Sequence, residues 1–251
     1  MAKPVILSNG RVWKTQKAAL DHFREMLARH HDDEQVNDRG DHNDLVALLE
    51  RHDEAITDGP PKTGTGIDSF FRRRNVFEGF STPSFWVRRV DGTETDFSYI
   101  HAVKGSPKGR SQQFSDACRA AIRADLLAAK RTAFVTHGDA RGAMPCELTG
   151  VSVTFENAHL DHAWPTFAMI VASFRAARGW SHAIPDDVLS APADGQTETV
   201  FVDASVADDF KRMHHSLAIL RIVAAKPNMQ NAASQRRPRV KNPIQMPASS
   251  S

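Results

Sequence analysis

The stretch His159-Leu160-Asp161-His162-Ala163-Trp164-Pro165 decides how the second half of this chain is read. A carboxylate stands beside an imidazole, Leu160 precedes the pair, and Pro165 ends the extended run because proline cannot donate to a sheet ladder. Upstream, Val151, Val153 and Phe155 alternate, which predicts a hairpin over residues 148–160 that carries Asp161 and His162 to its end. The pair suits metal-assisted phosphodiester hydrolysis. An aspartate holds a divalent cation, and an imidazole held off the metal takes a proton from water. An Asp-His pair alone is equally an ordinary surface pair, so its weight comes from its flanks. His159 shares a strand face with Asp161 and is either a supporting ligand or a half-buried histidine.

Working outward, Pro165 opens a helix with Phe167, Ile170, Val171 and Phe174 on one side. A helix is expected over 206–217, a short strand over 218–224, and a last short helix opening at Asn228. Before the motif, an alanine- and leucine-rich helix runs from about Ser111 to Ala133. The main domain boundary is placed in 137–144, where two glycines interrupt the pattern.

The first half begins with a hairpin over 4–14 turned at Asn9-Gly10. Thr15 caps a helix with Ala18, Ala19, Leu20, Phe23, Met26 and Leu27 at helical spacing. Residues 30–42 are polar and acidic and read as a loop. Asn43 is the expected cap of a second helix bearing Leu45, Leu48 and Leu49. After a Gly/Pro loop, 84–103 is expected to be a strand pair turned at Asp91-Gly92, and 104–110 a flexible basic loop. The fold class is α+β. The expected domains are 1–136, 137–234, and a basic disordered tail over 235–251, where Pro238, Pro243 and Pro247 oppose packing.

With 251 residues, 41% of them hydrophobic, the chain can bury a core. Two cysteines, Cys118 and Cys146, exclude a disulfide framework and fit a reducing compartment. The N-terminus has no signal-peptide apolar region and no run approaches a membrane span, so a cytoplasmic, non-membrane protein is expected. A net charge of +2 is near neutral, yet Arg221, Lys226, Arg236, Arg237, Arg239 and Lys241 lie in an end with no acid. Such an end suits phosphate contact or a solubilising tail.

Three pieces in order resemble the HNH, or ββα-metal, nuclease family. Cys146-Glu147-Leu148-Thr149-Gly150 is similar to its first knuckle, with Thr149 at the second cysteine position. Leu160-Asp161-His162-Ala163-Trp164-Pro165 is similar to its central signature. Leu220 through Asn228 is similar to its closing motif, with Ala224 and Pro227 in place of both cysteines. The resemblance implies a ββα-metal module with a long helical insertion and, three cysteines being absent, no structural zinc. It implies His162 as general base, and Asp161 and Asn228, aided by His159, as ligands of Mg²⁺ or Mn²⁺. The family's middle asparagine falls near Ile219, which is apolar. His214, with Phe210 at i−4 and Ala218 at i+4, is the preferred extra ligand or phosphate contact, and is otherwise part of a solvated helix face.

The first half, from about Val12 to Val103, resembles the DCL family, named for defective chloroplasts and leaves. The likeness rests on Thr15, Phe23 and Leu27, then Leu45, Leu48, Leu49 and His52. It continues with Lys62-Thr63-Gly64-Thr65-Gly66-Ile67, then Phe85-Trp86-Val87 and Asp96-Phe97-Ser98. Its plant branch is associated with plastid ribosomal RNA maturation, which implies a nucleic-acid-binding module. Arg72, Arg73, Arg74, Lys104, Lys108 and Arg110, with Lys226 in the second half, are the candidate phosphate contacts, and interleaved aromatics suit base stacking. An arginine triplet is otherwise a solvated face.

The expected activity is a metal-dependent HNH endonuclease, with DNA favoured over RNA and the first half positioning the substrate. The alternative is a catalytically inactive nucleic-acid-binding adaptor in RNA processing or a ribonucleoprotein. Oligomeric state is not legible.

Overall fold

The computed structural model describes residues 3–56, 59–77, 80–191, 193, 198–224 and 240–247. The chain divides into two units, Met1–Arg110 with Ala191–Thr199, and Ser111–Ser190 with Val200–Ser251. The boundary therefore lies at the start of the long helix, not at residues 137–144. That helix packs its own apolar side into the second unit, so the glycines after it join parts of one unit.

The first unit opens with the two-residue strands β1 (Val5–Ile6) and β2 (Val12–Trp13), followed by α1 (Gln16–Arg29) and α2 (Arg39–Ala55). Thr15 caps α1 by accepting from the Ala18 N–H, as its sequence position predicts. α2 starts earlier than expected: Asp38, not Asn43, is its cap, because the Asp38 carboxylate accepts from the Asp41 N–H. Strands β3 (Ile67–Phe77), β4 (Phe80–Arg89) and β5 (Glu94–Phe97) form an antiparallel sheet in that order. Phe70, Phe85, Val87 and Phe97 face α1 and α2 in a core with Phe23, Met26, Leu45, Leu48 and Leu49.

Residues 99–103, expected as strand, begin the short helix α3 (Tyr99–Lys104). Tyr99, Ile100 and Val103 are letters a strand would also use. The punctuation decided otherwise: Ser98 caps the start and Gly105, at φ 59°, caps the end. Only the ends of the expected basic loop, Lys104 and Arg110, are helical, and residues 106–109 lie outside helix and strand.

The second unit begins with α4 (Arg110–His137), then β6 (Met144–Pro145), β7 (Ser152–Val153) and β8 (Ala158–Trp164). Helices α5 (Phe167–Ala177) and α6 (Ala204–Leu217) follow, and β9 (Ile219–Ala224) and β10 (Ile244–Gln245) complete the described strands. β6 pairs only with β7, while β8, β9 and β10 form a second antiparallel sheet with β9 in the middle. Both units thus combine helices with antiparallel sheets, the α+β class.

β8 is not the far arm of a hairpin with β7. It pairs with β9, more than fifty residues away, in the register Asp161↔Arg221 and His162↔Leu220. The residues in between contribute α5 and α6, whose Ile170, Phe174, Val206 and Phe210 pack against Phe114, Cys118 and Ile122 of α4. Residues 240–247 are part of this fold, contrary to the expected tail from 235. Ile244 and Gln245 pair with Leu220 and Ile219, and Met246 is buried. Glu147 ties this strand down by accepting from the Lys241 and Asn242 N–H groups at 3.1 and 2.9 Å. No described helix is long and apolar enough to cross a membrane.

Candidate active site

β8 presents Asp161 and His162 on opposite faces, because side chains alternate along a strand. Its register shifts between His162 and Trp164, a bulge that follows the histidine directly. Among the described residues β8 is an edge strand.

On one face Asp161 meets Arg221 directly across the ladder. The Arg221 Nε and Nη2 groups both lie 2.8 Å from Asp161 Oδ2. Oδ1 takes no part in that pair, so one carboxylate oxygen remains for a cation. His159 lies two residues away and is exposed. Asn228 lies outside the described residues, and among those described no cluster of three or more His, Cys, Asp or Glu stands ready for a metal.

On the other face His162 Nε2 lies 2.8 Å from His214 Nε2. His214 is no phosphate contact. It is fully buried, because it continues the α6 stripe Val206–Phe210–His214 at i+4 spacing. His214 Nδ1 in turn lies 3.0 Å from His215 Nδ1, and His215 Nε2 lies 3.2 Å from Asp125 Oδ2 on α4. Burial, reinforced by the Arg119 charge, pushes the His162 pKa down to about 4. Burial, with the neighbouring His162 and His215 rings, pushes that of His214 down to about 3. Both rings are neutral at pH 7, the form that can accept a proton.

Arg119, Asp125 and the pairings of His215 and Arg221 escaped the sequence reading. Arg119 stacks on the Phe167 ring at 4.6 Å, and that ring lies 5.4 Å from His162. The exposed Arg119 and His162 thus contact the same ring, and the Arg119 charge acts on the imidazole. Asp125 and His215 anchor the histidine chain and line a cavity of about 870 Å³ with Lys211. Arg221 occupies half of Asp161. The only sequence signal was weak: Arg221 precedes an apolar strand run, and His215 adjoins a helix stripe.

Cys146 sits in a tight turn, its N–H bonded to Val151 O and its carbonyl accepting from Gly150, both at 2.8 Å. Its Sγ accepts from the Ala224 N–H at 3.2 Å. Burial alone would raise this thiol. The Thr149 hydroxyl and the backbone N–H groups of Ala224, Leu148 and Thr149 outweigh it and hold the pKa below the usual thiol value.

The arginine triplet of the first unit is engaged internally. Arg72 donates to His30 O at 2.5 Å and pairs with Asp32 at 2.9 Å. Arg73 pairs with Asp33 and Glu94 at 2.8 and 2.7 Å while stacking on Phe71 and Trp86. Arg74 bonds the Ser81 hydroxyl and carbonyl. The expected cation–aromatic face exists, with Arg72 and Arg73 paired to acids and Arg74 to Ser81. Lys104 and Lys108 are exposed and Arg110 is half-buried. Lys108 lines a cavity of about 430 Å³ with His52, Lys62, Asp96 and His101. Lys226 lies outside the described residues.

Residues 24–103 match the family described as "Protein of unknown function (DUF3223)". A solution NMR structure of an uncharacterized protein from Rhodospirillum rubrum is 29% identical and covers 41% of this chain and 89% of its own, with a TM-score of 0.33. No curated protein matches the chain.

Proposed function

We propose that this protein is a metal-dependent phosphodiesterase of HNH type that cuts nucleic acid, with DNA favoured over RNA. The observation that carries the reading is the placement of His162. It is a neutral, hydrogen-bonded imidazole on an edge strand, next in sequence to Asp161 and packed on the Phe167 ring that an exposed arginine also stacks on. His162 accepts the proton of the attacking water. Arg119 offers a phosphate contact within reach of that base. Asp161 Oδ1, with Asn228 and His159 as the expected partners, would hold Mg²⁺ or Mn²⁺, a hard cation suited to oxygen ligands. When bound, that ion supplies charge neutralisation at the phosphate and the departing oxygen. The turn at Cys146 and its N–H···S bond support the likeness to the family's knuckle.

The first unit positions the substrate in this reading, with the exposed Lys104 and Lys108 as its phosphate contacts. The test is cleavage of single- and double-stranded DNA and RNA with Mg²⁺ or Mn²⁺, comparing wild type with His162→Ala and Asp161→Asn. Metal-dependent cutting lost in both variants is expected; cutting that persists in them rejects the site.

The Asp161–Arg221 pair favours one second reading, an inactive nucleic-acid-binding adaptor in which Arg221 stands where a cation would. That reading predicts binding unaffected by chelation and no cutting of any substrate.

A further inference from the structure

Hydrogen bonds between imidazoles have a direction, and a carboxylate fixes it. Asp125 can only accept, so His215 Nε2 must donate across the 3.2 Å contact. Where each ring carries one proton, His215 Nδ1 is then an acceptor, and His214 Nδ1 must donate to it at 3.0 Å. His214 Nε2 accepts in consequence, and His162 Nε2 must donate at 2.8 Å. His162 Nδ1 is left with its lone pair. The opposite arrangement would aim the His215 Nε2 lone pair at a carboxylate oxygen, setting two acceptors face to face.

We infer that Asp125, His215 and His214 are positioning residues that hold His162 in the one tautomer whose Nδ1 can accept a proton. The catalytic use of that tautomer rests on the nuclease reading; the tautomer itself does not. Among the described residues His162 Nδ1 has no hydrogen-bond partner, so its lone pair is not committed to a protein donor. The rings are fixed in place as well as in polarity. His214 is fully buried on the α6 core stripe, and the His215 side chain is only 7% exposed. Asp125 lies at the rim of the structure, its side chain 34% exposed, with Lys211 Nζ 3.6 Å away. The chain thus runs from a surface carboxylate inward to the proposed base. Setting the tautomer of a catalytic histidine through a carboxylate is an established use of such a bond.

The test is imidazole nitrogen NMR at pH 7 on the full chain, with the His162 signals assigned by their loss in His162→Gln. Wild type is expected to show a pyridine-like Nδ1 and a pyrrole-like Nε2 at His162. Asp125→Asn keeps an acceptor oxygen and should preserve that pattern, whereas Asp125→Ala should average the two nitrogens. Because Asp125 is partly exposed, both variants should fold, which the remaining spectrum checks. A protonated Nδ1 in wild type, or an unchanged His162 in Asp125→Ala, overturns the inference. With a cleaved substrate, Asp125→Ala should lower kcat about 10- to 100-fold at similar KM, with recovery in Asp125→Asn. Wild-type protein that cuts nothing overturns the nuclease reading alone, because the spectra still decide the tautomer.

Discussion

Acidification should destabilise the second unit through His214. This ring is fully buried, and burial with its two histidine neighbours lowers its pKa to about 3. An unfolded histidine titrates near 6.5. The folded pKa lies below the unfolded one, so the unfolded chain gains a proton that the native ring refuses. The contribution is complete above about pH 6.5 and is lost as pH falls toward 3. Between pH 7 and pH 5 the loss from this one group is about 2 kcal/mol, a large part of an ordinary domain's stability. Hydrogen exchange of the most protected β8 and β9 amides reads the opening free energy of this unit directly. His214→Gln keeps a hydrogen-bonding side chain but cannot titrate, so its loss over the same range should be smaller by about 2 kcal/mol. Equal pH dependence in the two proteins would refute a buried neutral His214.

Further predictions come from packing, backbone conformation and charge. Phe210 is fully buried against Phe174 and Phe167, directly beneath His214, so Phe210→Ala should cost about 3–5 kcal/mol in denaturant unfolding. Gly64 sits at φ +50°, and an added Cβ would meet the Arg89 side chain at 2.5 Å. Arg89 is pinned there by its bond to Lys62 O. Gly64→Ala should therefore lower the melting temperature, at a cost of about 1–3 kcal/mol. Arg119→Ala should weaken nucleic-acid binding by about 1 kcal/mol and flatten its salt dependence, measured by titration at increasing salt. An unchanged salt slope would remove Arg119 from the phosphate-contact role.

The elements that local signals announce were legible in the sequence. The Thr15 cap, the apolar stripe of α6 and the extended run ended by Pro165 need only neighbours a few residues away. The i+4 spacing from Phe210 also carried the preference for His214, although its burial reversed the expected role. What stayed hidden depends on distant pairing. Arg221 reaches Asp161 only because β9 returns beside β8 after the inserted helices. Asp125 and His215 are 90 positions apart, and no periodicity joins α4 to α6. The internal pairing of the arginine triplet was not legible because Asp32, Asp33 and Glu94 arrive from a loop and from another strand. Charge composition cannot show which cations already have partners.

Chemical rescue at position 162 tests the central claim most directly. His162→Ala removes the proposed base beside His214 and Phe167 and leaves space for a small ring. In single-turnover cleavage with Mg²⁺, the variant should lose about 100-fold or more relative to wild type. Added imidazole should restore part of that loss in proportion to its unprotonated form. Cutting by His162→Ala at the wild-type rate, without imidazole, would contradict the assignment of His162 as the base.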